Sequence, residues 1–420
     1  MELKKSIETA VQKRLNWLTK LYESFHAQPE LSGKEVQTAS IVAKVLTESG
    51  LTVTTGIGGY GVVGIIDNGP GPTLFLRADM DALPVTEATG LPFASQVTTL
   101  DENGEKVDVM HACGHDFHIT SLLGAATVLS ELKEYWSGRL MVIAQPDEEV
   151  NGGANRMLAD GLYERFGRPD FGLGFHVKPE LPAGSVGFRA GVRNAGNYPL
   201  DVTIRGIGSH GAEPHLSKDP VVLAAQFILA LQTIVSREID PAEMALVTVG
   251  AINGGSRRNI IPDEVILNLT IRAYDQKIGL KIIDSIKRIA QGLAQAAGMP
   301  ENKYPIINIT DDSWDQVIND TEIVNKIEKV FTHLLGKSNV FNIDPVNTSE
   351  DFGNFGKGDP PIPLFMWEVG VTSATRLAEA AKAKSRIPPL HNPAFYPDLD
   401  KSLPTGIISL TGAALELLKP

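Results

Sequence analysis

The chain has 420 residues, 43% of them hydrophobic, a formal net charge of −12 and one cysteine. That length exceeds the roughly 250–300 residues at which a single core stops growing, so two domains are expected. The acidic balance opposes a nucleic-acid partner, which needs a basic footprint, and a lone cysteine cannot form an intramolecular disulfide.

In chain order, the opening segment through about Phe25 has charges spread through an amphipathic helical pattern, with no apolar leader. A cytoplasmic location is the expectation. Ser32 reads as the N-cap of a second helix and Gly50 as its C-terminal stop. "GVVGIIDN" and "PTLFLRADMDALP" follow as strands, the latter apolar in the middle and acidic at its end, as a buried strand feeding a cleft would be. Asn103-Gly104, between two β-prone stretches, predicts a hairpin with a tight turn. A helix over "HITSLLGAATVLSELKEYW", a strand "GRLMVIAQPDEEV", one helix over "NRMLADGLYERF" and a strand "DFGLGFHV" complete an alternating α/β pattern with a mostly parallel sheet.

Past about Gly187 the rhythm becomes βαββαβ, the order of a ferredoxin-like α+β sandwich. The simplest organisation is a catalytic domain of residues 1–187 and 308–420, interrupted by an inserted domain of residues 188–307. The larger domain resumes near Asp311 with a helix. The longest apolar run, from Val221, spans about fifteen residues with two glutamines and falls short of the roughly 20 needed for a membrane span.

Cys113 sits in "MHACGHDFH". A single cysteine is as readily a small buried hydrophobe. Its neighbours weigh against that: Asp79 and Asp81 end one strand, Glu148 and Glu149 a second, and His176 a third, all at one edge of a parallel sheet. Thiol, imidazole and carboxylate converging there are a metal site's inventory, and without a cation the acids would repel one another. A nucleophilic Cys-His pair would leave two glutamates and two histidines without a task. No Gly-x-Ser-x-Gly elbow or phosphate loop is present. Metal-assisted hydrolysis leads, with one acid of Glu148-Glu149 holding metal and the other moving protons. His210 and His215 in "GSHGAEPH" are either loop histidines bonded to backbone or site residues. Asn259 and Arg272 are polar groups among strands, and Arg272 could clamp a carboxylate.

Taken together, "LRADMDALPV", "MHACGHDFHI", "QPDEEVNGGANRML", "GFHVKPELPAG", "TIRGIGSHGAEPHLSKDPV", "GGSRRNIIPDEV" and "LHNPAFYPD" make the chain resemble the aminoacylase and carboxypeptidase G-type di-metal peptidases. Within them it resembles specifically the amidohydrolase branch that holds the hippurate and indoleacetyl-amino-acid hydrolases. The resemblance implies an α/β catalytic domain with an inserted ferredoxin-like lid domain that forms a homodimer. It implies two divalent metals held by Cys113, His115, Glu149, His176 and His391; the donor types put zinc or manganese first, with cobalt or nickel as alternatives. It implies Glu148 as general base, Asp81 orienting a ligand rather than Asp79 binding directly, and His210 reaching the other subunit's site. Asn259 and Arg272 would contact an N-acyl amino acid substrate. A dipeptidase or carboxypeptidase on the same metals is the rival enzyme, and a non-catalytic metal- or ligand-binding protein the rival outside enzymes.

Overall fold

The computed structural model describes residues 2–150, 152–310 and 313–419; Asp311, where the larger domain is expected to resume, lies outside them. The chain divides into two compact units. One comprises Met1–Arg193, Ile318–Asp344 and Asp351–Pro420, the other Asn194–Val317 and Pro345–Glu350.

In the first unit the sheet runs from an edge strand Thr52–Ile57 through Gly61–Asn68, Gly138–Gln145, Thr73–Asp79 and Phe171–Pro182 to Leu364–Thr372. The last four are mutually parallel, whereas the first two add antiparallel pairings at the edge. Every residue of Leu364–Thr372 is buried, and Thr73–Asp79 is buried after its first residue. Strands covered on both faces read as continuous apolar runs rather than alternating ones, which is how these segments are written. Leu76, Val142, Leu173, Phe365 and Trp367 share one core with Leu18, Leu122, Ile327 and Leu410 from the covering helices. Each fully buried side chain of this size contributes about 1.5–3 kcal/mol.

The second unit is a four-stranded antiparallel sheet in the order Ala245–Gly254, Glu264–Ala273, Gly196–Arg205, Ile306–Ile309. Glu264–Ala273 alternates between exposed and covered positions, so one face of the sheet is packed. That face meets Phe227 of the helix Pro220–Thr233 and Ile282 and Ile286 of Gln276–Ala296. The Asp219 carboxylate caps the first of these helices by accepting from the N–H groups of Val221 and Val222, ahead of Pro220 at the first turn. The helix continues as a π-turn through Glu238, and Pro220–Glu238 is long and apolar enough to span a bilayer by length and composition, more than the fifteen-residue run suggested. Leu223, Ala224, Phe227, Leu231 and Ile234 of this stretch are buried in the core of this unit.

Three local expectations are corrected. Ser32 does not cap the second helix, which begins at Val36 after Glu35; its hydroxyl is drawn to the buried Asp81 instead. The stretch expected as one helix after the Glu-Glu pair is two, Gly153–Ala159 and Leu162–Phe166, parted at Gly161 with φ of 80°. Strands Thr98–Leu100 and Lys106–Asp108 do pair as a hairpin, but through a five-residue connection closed by Asp101, whose carboxylate accepts from Asn103 and Glu105 N–H groups.

Candidate functional site

The parallel strands deliver polar side chains to one edge of the first unit. Register sets Asp79 beside Gln145 and His176 beside Glu368. After Asp79 the chain runs on to Asp81; after Gln145 it runs to Glu148 and Glu149; the strand bearing His176 continues to Pro182. Gly114, at φ 81°, turns the loop after Met110 into the helix His115–Glu131, and a Cβ there would sit 2.6 Å from Val177 Cγ2. A side chain there would be strained both by that φ and by that approach. Cys113 and His115 flank this turn.

Cys113 Sγ lies 3.5 Å from His176 Nε2 and 3.3 Å from His391 Nε2. Glu149 Oε1 lies 3.3 Å from His391 Nε2 and 3.7 Å from His115 Nε2. Ligand atoms within 4.8 Å of one another group Cys113 with His115 and His176, Cys113 with Glu149 and His391, and His115 with Glu148 and Glu149. His391 takes a left-handed φ of 63°, and its N–H donates to Ala112 O at 2.8 Å, so the loop bearing it is fastened to the one bearing Cys113. A non-glycine residue held in that conformation stores about 1–3 kcal/mol of strain, a frequent mark of functional positions.

The hydrogen-bond partners fix which nitrogens face the cluster. His176 Nδ1 donates to Val177 O at 2.9 Å, which leaves Nε2 as a lone-pair donor. Burial, and then the nearby His118, hold its pKa well below the usual imidazole value, so it stays neutral. His115 Nδ1 bonds Asp81 Oδ1 at 3.0 Å, and His115 Nε2 is buried with no hydrogen-bond partner. Burial pushes the His115 pKa down, yet Asp79 and Asp81 outweigh it and raise it to about 10. Pairing with Glu149 raises that of His391. Burial, then Glu149, Glu148 and Asp79, push the Cys113 thiol well above its ordinary value. Crowded acids, a resisted thiolate and an orphaned imidazole nitrogen are what divalent cations among these atoms would resolve.

Asp79 is engaged elsewhere. His118 Nε2 accepts from Val177 N–H at 3.0 Å, so its Nδ1 carries the proton given to Asp79 Oδ1 at 2.6 Å. Asp79 Oδ2 accepts from Arg77 Nη1 at 2.9 Å. Burial pushes this carboxyl up, but His115, His118 and Arg77 hold it well below the usual carboxylate range.

His210, Asn259 and Arg272 lie in the second unit. His210 and Asn259 are exposed neighbours: His210 pairs with Ile260, and Gly211 N–H donates to Asn259 O at 2.9 Å. His210 Nδ1 accepts from Ala212 N–H at 3.1 Å, which leaves Nε2 as the donor. Arg272 is half-buried, with a buried Nη1 that makes no hydrogen bond, and burial lowers its pKa.

The sequence reading assigned no site role to Glu35, Arg77, His118 and Asp351, and took Ser32 for a helix cap. Arg77 bridges Gln145, Asp79 and Asp351. Its position in "FLRAD", a charge inside an apolar run, was the available signal.

Residues 75–407 match the peptidase family M20/M25/M40. The hippurate hydrolase of Campylobacter jejuni is 38% identical over 340 residues, 80% of this chain and 84% of that one. An IAA-amino acid hydrolase of Arabidopsis thaliana is 33% identical over 82% of this chain and 75% of its own. Among solved structures, a dinuclear metal-binding peptidase of the M20 family from Bacillus subtilis superimposes with a TM-score of 0.76 at 27% identity, covering 99% of each chain. The chain belongs to peptidase family M20/M25/M40 and is a metal-dependent amidohydrolase.

Proposed function

We propose that the protein hydrolyses the amide bond of N-acyl or N-aroyl amino acids, releasing a carboxylic acid and a free amino acid. The observation that carries this reading is the convergence of Cys113, His115, Glu149, His176 and His391 with Glu148 beside them. The names of the hippurate and IAA-amino acid hydrolases point to the same bond.

In this reading those five residues hold two divalent cations, and their mixed sulfur, nitrogen and oxygen donors suit zinc or manganese. When bound, the cations supply positive charge that acidifies water and polarises a carbonyl. Glu148, buried next to the cluster, takes the proton of the attacking water and passes it to the leaving amine. Asp81 holds the His115 ring so that Nε2 faces the cluster. His210, from a second copy of the chain in a homodimer, donates Nε2–H to the developing oxyanion. Asn259 and Arg272 receive the amino acid part of the substrate, Arg272 through its carboxylate. The unpartnered Nη1 of Arg272 and the donor tautomer of His210 support these roles.

The test is amino acid release from a panel of N-acetyl, N-benzoyl and indoleacetyl amino acids set beside plain dipeptides. The reading expects the acylated substrates to turn over and to outrun the dipeptides. Dipeptides cleaved faster than every acyl substrate would replace it with a dipeptidase.

A further inference from the structure

The loop Glu30–Glu35 braces the acidic segment that carries the proposed base. Leu31 bridges Ala82 in parallel, and Ala82 N–H donates to Glu30 O at 2.8 Å, so the loop is pinned to the chain just past Asp81. Ser32 Oγ donates to Asp81 Oδ2 at 2.7 Å, and that same oxygen accepts from Glu149 N–H at 2.9 Å. Glu35 makes the next contact. Its Oε1 accepts from Gly33 N–H and from Asp147 N–H, each at 2.8 Å, while its Oε2 is buried without a hydrogen-bond partner. The residue is fully buried.

Asp147 immediately precedes Glu148. It has a left-handed φ of 59°, a conformation uncommon outside glycine that aspartate and asparagine tolerate best and that local hydrogen bonds stabilise. Among the described residues, each of its polar groups has a partner. The N–H goes to Glu35, the carboxylate meets the Arg156 guanidinium, and the carbonyl accepts from Gly153 N–H at 2.8 Å. Gly153 permits this because a Cβ there would lie 1.8 Å from Pro146 O. The tie from Glu35 reaches in from the loop of residues 30–35, which also holds Asp81.

We propose that Glu35 is a positioning residue: by accepting the Asp147 N–H it fixes the left-handed turn that aims Glu148 and Glu149 at the metal cluster. The proposal rests on Glu148 being the base. Burial and then the charge of Asp81 raise Glu35 to about 8, against the opposing pull of the backbone N–H groups. Because both N–H groups meet the single oxygen Oε1, glutamine is its closest mimic, presenting one carbonyl oxygen to both. Alanine removes the acceptor, and aspartate, one methylene shorter, falls short of Asp147.

The test compares Glu35→Gln, Glu35→Ala and Glu35→Asp in full-length protein by kcat, KM, bound metal and hydrogen exchange across residues 145–150 in the metal-free protein. Glu35→Gln should stay within about threefold of the parent in kcat and leave exchange unchanged. Glu35→Ala should lose at least tenfold in kcat with KM held, and should speed exchange in that segment before any metal is added. Should the alanine variant fail to fold, the contrast between Glu35→Asp and Glu35→Gln carries the same prediction. Turnover and exchange unchanged in the alanine or aspartate variant, or a Gln variant as impaired as they are, would overturn the proposal. Glu148→Gln run alongside separates the two ideas: normal activity there defeats the base assignment, whereas an inactive Glu148→Gln with an unaffected Glu35→Ala defeats only the positioning role.

Discussion

Asp81 Oδ1 bonds His115 Nδ1 at 3.0 Å, while Asp81 Oδ2 accepts from both Ser32 Oγ and Glu149 N–H. One carboxylate thus sets the orientation of an imidazole and the backbone of a neighbouring acid, the two groups that would face a cation. Burial pushes the Asp81 carboxyl up, but the hydrogen bond from His115 leads the contacts that hold it below the ordinary range.

Asp81→Ala should therefore loosen the metal rather than unfold the protein. Losing a carboxylate behind a ligating histidine typically costs 10–100-fold in metal affinity or activity. Competition against a metal-sensitive dye would measure it, and Asp81→Asn, which keeps an oxygen for His115, should lose less. Equal affinity in the alanine variant and the parent would contradict the role.

Arg77 ties three chain segments together from full burial, and removing it takes one cationic partner from each of Asp79 and Asp351. Breaking a buried pair from one side costs about 3–5 kcal/mol. Arg77→Met should lower the urea midpoint accordingly. A midpoint within experimental error of the parent would show that the network contributes little.

His26 lies between Asp116 Oδ2 at 2.7 Å and Glu87 Oε1 at 3.0 Å, beneath Phe93. Burial pushes its pKa down, but the two carboxylates prevail and raise it to about 9 from an ordinary 6.5. A group whose pKa rises on folding stabilises the fold fully below 6.5 and loses that contribution as pH climbs through 9. The melting temperature of the parent should exceed that of His26→Gln by a wide margin at pH 6 and by a smaller one at pH 10. A gap independent of pH would mean that His26 is neutral in the folded protein.

Arg272→Met should raise KM for N-acyl amino acids by roughly 10–100-fold, the worth of a hydrogen bond to a charged group. Kinetics on the matching amino acid amides, which lack the carboxylate, should change far less. A similar loss on both would move Arg272 from substrate binding to structure.

Much of the parallel sheet was legible because buried strands are continuous apolar runs: "PTLFLRADMDALP" and "GRLMVIAQPDEEV" declare both the strand and the acids beyond it. The edge strand Thr52–Ile57 escaped notice, being short, largely uncovered and rich in threonine. Ser32 was misread because a serine ahead of a helix is chemically as good a cap as a donor to Asp81, and only tertiary contact decides between them. Glu35 gave no signal at all. Its hydrogen-bond partner Asp147 lies 112 positions away in the chain.

The most direct test of the central claim is metal content and turnover measured together on the parent and on Glu148→Gln, before chelation, after it, and after metal is restored. Two metals per chain in both proteins, with activity in the parent alone that vanishes on chelation and returns with metal, is the predicted result. A parent that keeps its activity after complete metal removal, or a Glu148→Gln variant as active as the parent, would contradict it.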